Sequence, residues 1–151
     1  MQILVDADAC PQAVQTLLLR ASRRRRVPLV LVACRHIPVP ESEHVSSLLV
    51  PAGPDAADDR IVELVRPGDL VVTADVPLAD RVVSAGGFAL DPRGQMLGED
   101  TIKERLAMRD LMEDLRNAGM ITGGPAGFGP KAAQAFANQL DRWIARRASP
   151  S

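Results

Sequence analysis

The sequence predicts an α/β protein with a mostly parallel central sheet. Short apolar runs rich in Val, Ile and Leu alternate with amphipathic segments of helix length, which is typical of strands joined by covering helices. Helices on both faces of such a sheet give a three-layer α/β/α sandwich. Proline or glycine stands at several of the predicted boundaries between strands and helices, which supports this division of the chain.

The first strand, residues 3–5, is an apolar run that is followed by Asp6-Ala7-Asp8. Pro11 then opens a helix, because proline is favoured at the first helical position, and apolar residues follow at helical spacing. This helix ends in four consecutive arginines, 23–26. The helix macrodipole favours cations there, so we interpret them as a solvated helix end, with contact to phosphate as the alternative.

Residues 29–33 and 45–50 are the second and third predicted strands, joined by a polar loop that contains both histidines of the chain. A second helix is predicted over residues 55–65, because Pro67-Gly68 follows and stops it. The apolar run 70–73 is the fourth strand.

Pro77 begins the third predicted helix and Gly86-Gly87 ends it. Residues 88–90 form the fifth strand. The sequence Asp91-Pro92-Arg93-Gly94 then has the composition of a type I turn, which leads into a small hairpin with residues 95–97.

Two long helices complete the predicted fold, over residues 101–117 and 131–147, with a glycine-rich connector between them. The second has an apolar stripe that predicts its buried face: Phe136, Leu140, Trp143 and Ile144. The length fits a single domain, 1–151, whose last residues, 148–151, are expected to fray.

Composition limits the classes of partner. The chain has 18 Lys and Arg against 19 Asp and Glu, so its net charge of -1 gives no bulk attraction to nucleic acid or membrane. Aromatic residues make up 3% of the chain, which argues against a base-stacking surface. No apolar run reaches the roughly 18 residues of a membrane span. The two cysteines form neither a disulfide framework nor a CxxC pair, and we expect a reduced, cytoplasmic protein.

Aspartates follow the carboxyl ends of three predicted strands. In open α/β sheets, ligands bind beyond these ends, at the point where the strand order reverses. If the first and fourth strands are neighbours, Asp6 and Asp75 face each other across this crevice. The aspartates that follow the first, third and fourth strands are Asp6, Asp8, Asp55, Asp58, Asp59, Asp75 and Asp80.

Crowded carboxylates repel one another unless protons or a cation neutralise them. Their hard oxygen atoms suit Mg²⁺ or Mn²⁺, which commonly complete their coordination with waters and substrate phosphates. The cluster therefore predicts a metal site for phosphate ester chemistry. Helix capping is the alternative, because Asp is a common N-cap, and Asp8, Asp55 and Asp75 all precede or begin predicted helices. Capping requires only one acid per helix, fewer than the sequence supplies.

The cysteines and the glycine-rich connector are weaker candidates. Cys10 precedes a helix, where a thiol pKa can be lowered, but no histidine lies nearby in sequence, so we interpret it as inert. Cys34 is expected in the core. Gly123 and Gly124 can approach a phosphate through their backbone N–H groups, although the connector lacks a P-loop or dinucleotide motif and is more typical of a flexible linker.

The chain resembles the bacterial YaiI/YqxD family along nearly its whole length. Five motifs in the same order carry the resemblance, and they are Val5-Asp6-Ala7-Asp8-Ala9-Cys10-Pro11, Asp55-Ala56-Ala57-Asp58-Asp59, residues 68–79, Asp91-Pro92-Arg93-Gly94, and Thr122-Gly123-Gly124-Pro125 with residues 136–142. The family is usually placed among PIN-like nuclease folds. The resemblance therefore implies a PIN-like α/β/α domain.

In PIN-like domains, acids at the ends of the first and fourth strands, with one or two more nearby, bind Mg²⁺ or Mn²⁺ for hydrolysis of RNA. The resemblance carries this catalytic role to Asp6, Asp58 and Asp75. Further metal ligands on the same basis are Asp8, Asp59 and Asp80. It implies that RNA or another nucleic acid is the partner. The oligomeric state is left open.

Substrate contacts are assigned to Arg81 and Arg93 as phosphate-binding cations, together with Thr73, Gly123 and Gly124. The arginines are equally readable as surface salt-bridge residues. One departure from the family falls before the last helix, where a Ser or Thr followed by an Asp-Arg pair is expected. This chain has Lys131-Ala132-Ala133 there, which puts substrate handling in question.

Two other functions remain open. A non-catalytic nucleic-acid-binding or regulatory module of the same fold fits the near-neutral charge and scarce aromatics. An aspartyl-phosphate phosphatase would use Asp6 as nucleophile and Asp8 as acid and base. Such enzymes need a lysine near the phosphate, and the only lysines, Lys103 and Lys131, lie late in the chain.

Overall fold

The computed structural model describes residues 1–53, 55–119 and 128–148. The strands are β1 (Ile3–Asp6), β2 (Leu29–Ala33), β3 (Val45–Leu49), β4 (Leu70–Val72) and β5 (Phe88–Leu90). The helices are α1 (Gln12–Arg25), α2 (Ala56–Leu64), α3 (Val76–Ser84), α4 (Glu99–Asn117) and α5 (Pro130–Ala148). A short 3-10 turn, Ala7–Ala9, follows β1. Gly123, Gly124 and the end of the predicted tail, residues 149–151, lie outside the described residues.

All five strands run parallel in the order β3-β2-β1-β4-β5. After β1, the chain places β2 and β3 on one side, then crosses back to place β4 and β5 on the other. An isolated antiparallel bridge from Leu90 to Met96 confirms the small hairpin after β5. The α/β class and the parallel central sheet are therefore confirmed.

Helices cover both faces of the sheet. Alternate residues of β1 point to opposite faces, so Ile3 and Val5 contribute to the core beneath α1 and α5, whereas Leu4 contributes to the core beneath α2 and α3. Helix α4 packs beside α3 through the fully buried Ile102. The predicted apolar stripe of α5 is buried, with Phe136 completely enclosed. This is the expected three-layer arrangement.

Most element bounds agree with the sequence predictions to within one residue, and two details differ by more. Helix α4 begins at Glu99 rather than at residue 101, because the N–H of Ile102 donates to the carbonyl of Gly98 at 2.9 Å and starts the first turn there. Cys34 is exposed rather than in the core, since it follows the last residue of β2. Although α4 and α5 have 19 residues each, no helix in the described ranges is apolar enough to span a membrane.

Candidate functional site

The strand order reverses between β1 and β4. These two strands are paired in parallel, with Val5 opposite Val72, and the chain leaves them towards opposite sides of the sheet. Such a reversal opens a crevice at the carboxyl edge, where α/β proteins bind ligands. Asp6 ends β1 and Thr73 directly follows β4, so both lie in this crevice. The condition set by the sequence, that the first and fourth strands be neighbours, is met.

The hydroxyl of Thr73 links the two principal acids. Its Oγ1 donates to Oδ2 of Asp6 at 3.3 Å and accepts the backbone N–H of Asp75 at 3.0 Å. Thr73 is 2% exposed and Asp6 is 8% exposed, so this link is buried. Thr73 therefore fixes the position of both acids relative to the sheet, and its predicted contact with substrate stays a prediction.

Asp75 also caps a helix. Its Oδ1 accepts the backbone N–H of Leu78 at 2.9 Å, at the start of α3. Asp55 occupies the N-cap of α2 without a side-chain hydrogen bond, and Asp8 lies in the 3-10 turn. The capping alternative therefore applies to the side chain of Asp75 and does not explain the other acids.

Asp58 is crowded by the other acids. It lies half-buried in the first turn of α2, and burial together with the charges of Asp75, Asp6 and Asp55 raises its pKa to about 6. Burial also raises the pKa of Asp6, opposed by the Thr73 hydrogen bond and reinforced by the charges of Asp75 and Asp8. Any proton or cation that enters the crevice therefore stabilises these carboxylates by relieving their mutual repulsion.

Neutralising Asp58 is expected to stabilise the fold above pH 6. The raised pKa means that the folded chain binds more protons than the unfolded chain between about pH 4 and 6, so the free energy of unfolding falls as pH rises through that range. Asp58→Asn removes this cost. After allowance for solvent screening, the expected gain in the free energy of unfolding is about 1 kcal/mol at neutral pH and nothing below about pH 4.

Urea unfolding at neutral and acidic pH measures this gain. The matched control is Asp59→Asn, because exposed Asp59 forms an ion pair with Arg81 at 2.9 Å and its neutralisation relieves no crowding. An equal gain in both variants, or a gain that persists in acid, contradicts the crowding of Asp58.

The remaining predicted ligands have other partners or lie further out. Asp8 accepts the backbone N–H of Cys34 at 2.7 Å and pairs with Arg35 at 3.4 Å. Arg81, a predicted phosphate-binding residue, pairs with Asp59, and Asp80 is exposed on α3. In the described part of the chain, no three His, Cys, Asp or Glu side chains converge closely enough to hold a metal ion by themselves.

The turn after β5 brings cations to the same edge of the sheet. Buried Asp91 organises this turn by accepting the backbone N–H of Arg93 at 2.9 Å and by pairing with Arg105 at 2.7 Å. Arg93 lines an open cavity of about 430 Å³ together with Lys131 and Ala132 of α5. The sequence alone does not assign Lys131 to the site. The position of Lys131 in the first turn of the last helix is the feature that could have indicated it.

Cys10 is not a reactive thiol. Burial, together with the negative charge of Asp6, raises its pKa to about 12, so the thiolate required of a nucleophile is not formed near neutral pH. This agrees with its interpretation from the sequence.

Comparison with known proteins gives one consistent result. A family model described as "Uncharacterized BCR, YaiI/YqxD family" matches residues 4–146. A UPF0178 protein of Cupriavidus pinatubonensis is 54% identical over 150 residues, which are 99% of this chain and 100% of the relative. Another, of Maridesulfovibrio salexigens, is 52% identical over 146 residues, 97% of each chain. No solved structure matches the chain.

Proposed function

The chain belongs to the YaiI/YqxD family, and we propose that it is a metal-dependent phosphodiesterase that hydrolyses RNA or another nucleic acid. The observation that carries this proposal is the crowding of Asp6, Asp58 and Asp75 at the point where the strand order reverses. Crowded carboxylates in a crevice are candidates for function because their mutual repulsion is costly without a cation or proton. The PIN-like assignment from the sequence stays part of this proposal.

The donor set fits Mg²⁺ or Mn²⁺ better than a softer metal. Asp6 and Asp75 supply carboxylate oxygens, and both are close enough for their charges to raise the pKa of Asp58. Since no three ligands converge in the described residues, the fit is to a cation held by one or two carboxylates and otherwise by water and substrate oxygens. When bound, the cation supplies Lewis acidity for water attack and neutralises charge on the phosphate.

The side chains of the crevice have separable tasks in this proposal. Thr73 holds Asp6 through a hydrogen bond, and the helix cap holds Asp75, so neither acid rotates freely. Asp58, with a pKa of about 6, can accept a proton from an attacking water near neutral pH. Preorganised acids and a nearby proton acceptor are what hydrolysis of a phosphodiester requires.

Substrate phosphates are assigned to Arg93 and Lys131. The cavity that they line, about 430 Å³, lies within the range of about 300–1,000 Å³ typical of ligand sites. Lys131 stands where the family resemblance predicts other side chains, so it offers a cation beside Ala132 and Ala133. Arg81, the other predicted phosphate-binding arginine, pairs with Asp59 at 2.9 Å, so a phosphate bound there competes with that carboxylate.

The other functions receive less support. Asp8 would be the acid and base of an aspartyl-phosphate phosphatase, but both of its carboxylate oxygens have protein partners. A binding module has no need for crowded acids in a ligand crevice. Among locations, we propose the cytoplasm, because both cysteines are free.

Removal of divalent cations is expected to abolish hydrolysis. A fluorescently labelled single-stranded RNA is incubated with the protein in Mn²⁺, after chelation, and after Mn²⁺ is restored. We expect cleavage products only in the first and third samples, resolved by denaturing electrophoresis. Cleavage that survives chelation contradicts the metal mechanism. Salt-dependent RNA retention without cleavage favours the binding module instead, and a trapped phosphoenzyme favours the phosphatase.

A further inference from the structure

A second cationic site lies between the end of α5 and the edge strand β5. A cavity of about 130 Å³ separates the last turns of α5 from Phe88, the first residue of β5. The cavity extends along β5, because Met96 also lines it and pairs with Leu90, the last residue of that strand. The residues of this cavity that matter here are Phe88, Gln139, Arg142, Trp143, Arg146 and Arg147.

The cavity presents hydrogen-bond donors in excess. Its three arginines are donors without acceptor atoms, and no Asp or Glu among the described residues lines it. Within the described ranges, Arg142 and Arg146 form no ion pair or hydrogen bond. The guanidinium of Arg147 stacks over the ring of Phe88, 4.4 Å from its centroid, which holds this cation at the cavity. Such an environment favours an anion.

Trp143 forms one wall of the cavity. The residue is 5% exposed, and its indole Nε1 is buried without a hydrogen-bond partner among the described residues. Because Nε1 has almost no accessible surface, it is the ring of Trp143 rather than its N–H that lines the cavity. Phe88 packs edge-on against the indole, with ring centroids 6.3 Å apart, and fixes its orientation.

We propose that this cavity binds a phosphate-class oxyanion, supplied either as free phosphate or as a phosphate group of a nucleic acid. Its volume is below the roughly 300–1,000 Å³ of typical ligand sites, so it suits a single phosphate rather than a whole nucleotide. The C-terminus of α5 carries about half a negative charge, which opposes an anion. Three guanidinium groups exceed that charge.

Fluorescence of Trp143 tests the site directly. It is the only tryptophan and the chain has no tyrosine, so no other residue contributes appreciably to the emission. Inorganic phosphate is titrated at constant ionic strength. We expect a saturable change in emission in the wild-type protein. We expect at least a tenfold weaker response in the double variant Arg142→Gln and Arg146→Gln.

The matched control is Arg109→Gln with Arg116→Gln, which loses the same charge from exposed positions of α4. This control is expected to bind phosphate like the wild type. Equal weakening in both double variants assigns the response to general positive charge and overturns the site. Absence of saturation in the wild type also overturns the proposed site. Circular dichroism verifies that each variant is folded.

Competition separates the two sources of the anion. A short oligoribonucleotide with a 5′-phosphate and the same oligonucleotide without it are each titrated against bound phosphate. Stronger competition by the first supports a terminal phosphate as the ligand, and equal competition supports an internal phosphodiester. If neither competes while phosphate binds, free phosphate is the supported source. These titrations need no divalent cation, so their outcome is independent of the aspartate site.

Discussion

Asp6→Asn is expected to lower metal-dependent hydrolysis by more than about 100-fold while leaving the chain folded. Changes one shell beyond a metal ligand already cost about 10–100-fold, and Asp6 is proposed to contact the cation itself. The fold is expected to survive because Asn still accepts the hydroxyl proton of Thr73. Neutralisation also removes the charge of Asp6, which is unfavourable because the residue is buried and lies near the charges of Asp75 and Asp8.

Initial rates of RNA cleavage in Mn²⁺ measure this effect, with the melting temperature recorded for each variant. Asp80→Asn is the control. Asp80 is exposed on α3, and its substitution removes the same charge from the protein. Asp80 was predicted as an additional ligand from the sequence, and near-wild-type activity of its variant is expected. Full activity in Asp6→Asn contradicts the assignment of the crevice.

Gly94→Ala is expected to lower the free energy of unfolding by about 3 kcal/mol. Gly94 has φ of +92°, a conformation that costs a residue with a side chain about 1–2 kcal/mol. An added Cβ would also lie 2.5 Å from the carbonyl carbon of Ala135 and 2.7 Å from the nitrogen of Phe136. These are backbone atoms of α5, so the helix must shift, and overpacking typically costs a further 1–3 kcal/mol or so.

Gly68→Ala separates the two contributions. Gly68 has φ of +89° but no atom within 4 Å of an added Cβ, so it carries the conformational cost alone. Urea unfolding of both variants is expected to show about 1 kcal/mol for Gly68→Ala and about 3 kcal/mol for Gly94→Ala. Equal losses would contradict the close approach of α5 to the turn after β5.

Local sequence pattern was sufficient for the elements of this fold. Apolar runs bounded by Pro, Gly and Asp located all five strands, and the stripe of α5 located its buried face. The boundary of α4 was missed by two residues because Gly98 serves as N-cap without a side chain. Cys34 was misplaced because one residue decides whether a side chain belongs to a buried strand or to the exposed loop after it.

Contacts between elements distant in the chain were not predictable in the same way. The sequence placed Asp6 and Asp75 at strand ends, yet their proximity depended on the pairing of β1 with β4. Three further features depend on segments that are far apart in the chain. They are the hydrogen bond from Thr73 to Asp6, the ion pair of Asp59 with Arg81, and the cavity shared by Arg93 and Lys131. Periodicity carries no information on such distances.

Calorimetric titration of Mn²⁺ into the wild type and Asp75→Asn tests the central claim most directly. Asn is as good an N-cap as Asp, so the variant is expected to keep the start of α3 while losing a charged ligand. The account predicts saturable binding to the wild type and loss of that binding in the variant. Absence of binding to the wild type at millimolar Mn²⁺, or unchanged binding to Asp75→Asn, would contradict a metal site at the ends of β1 and β4.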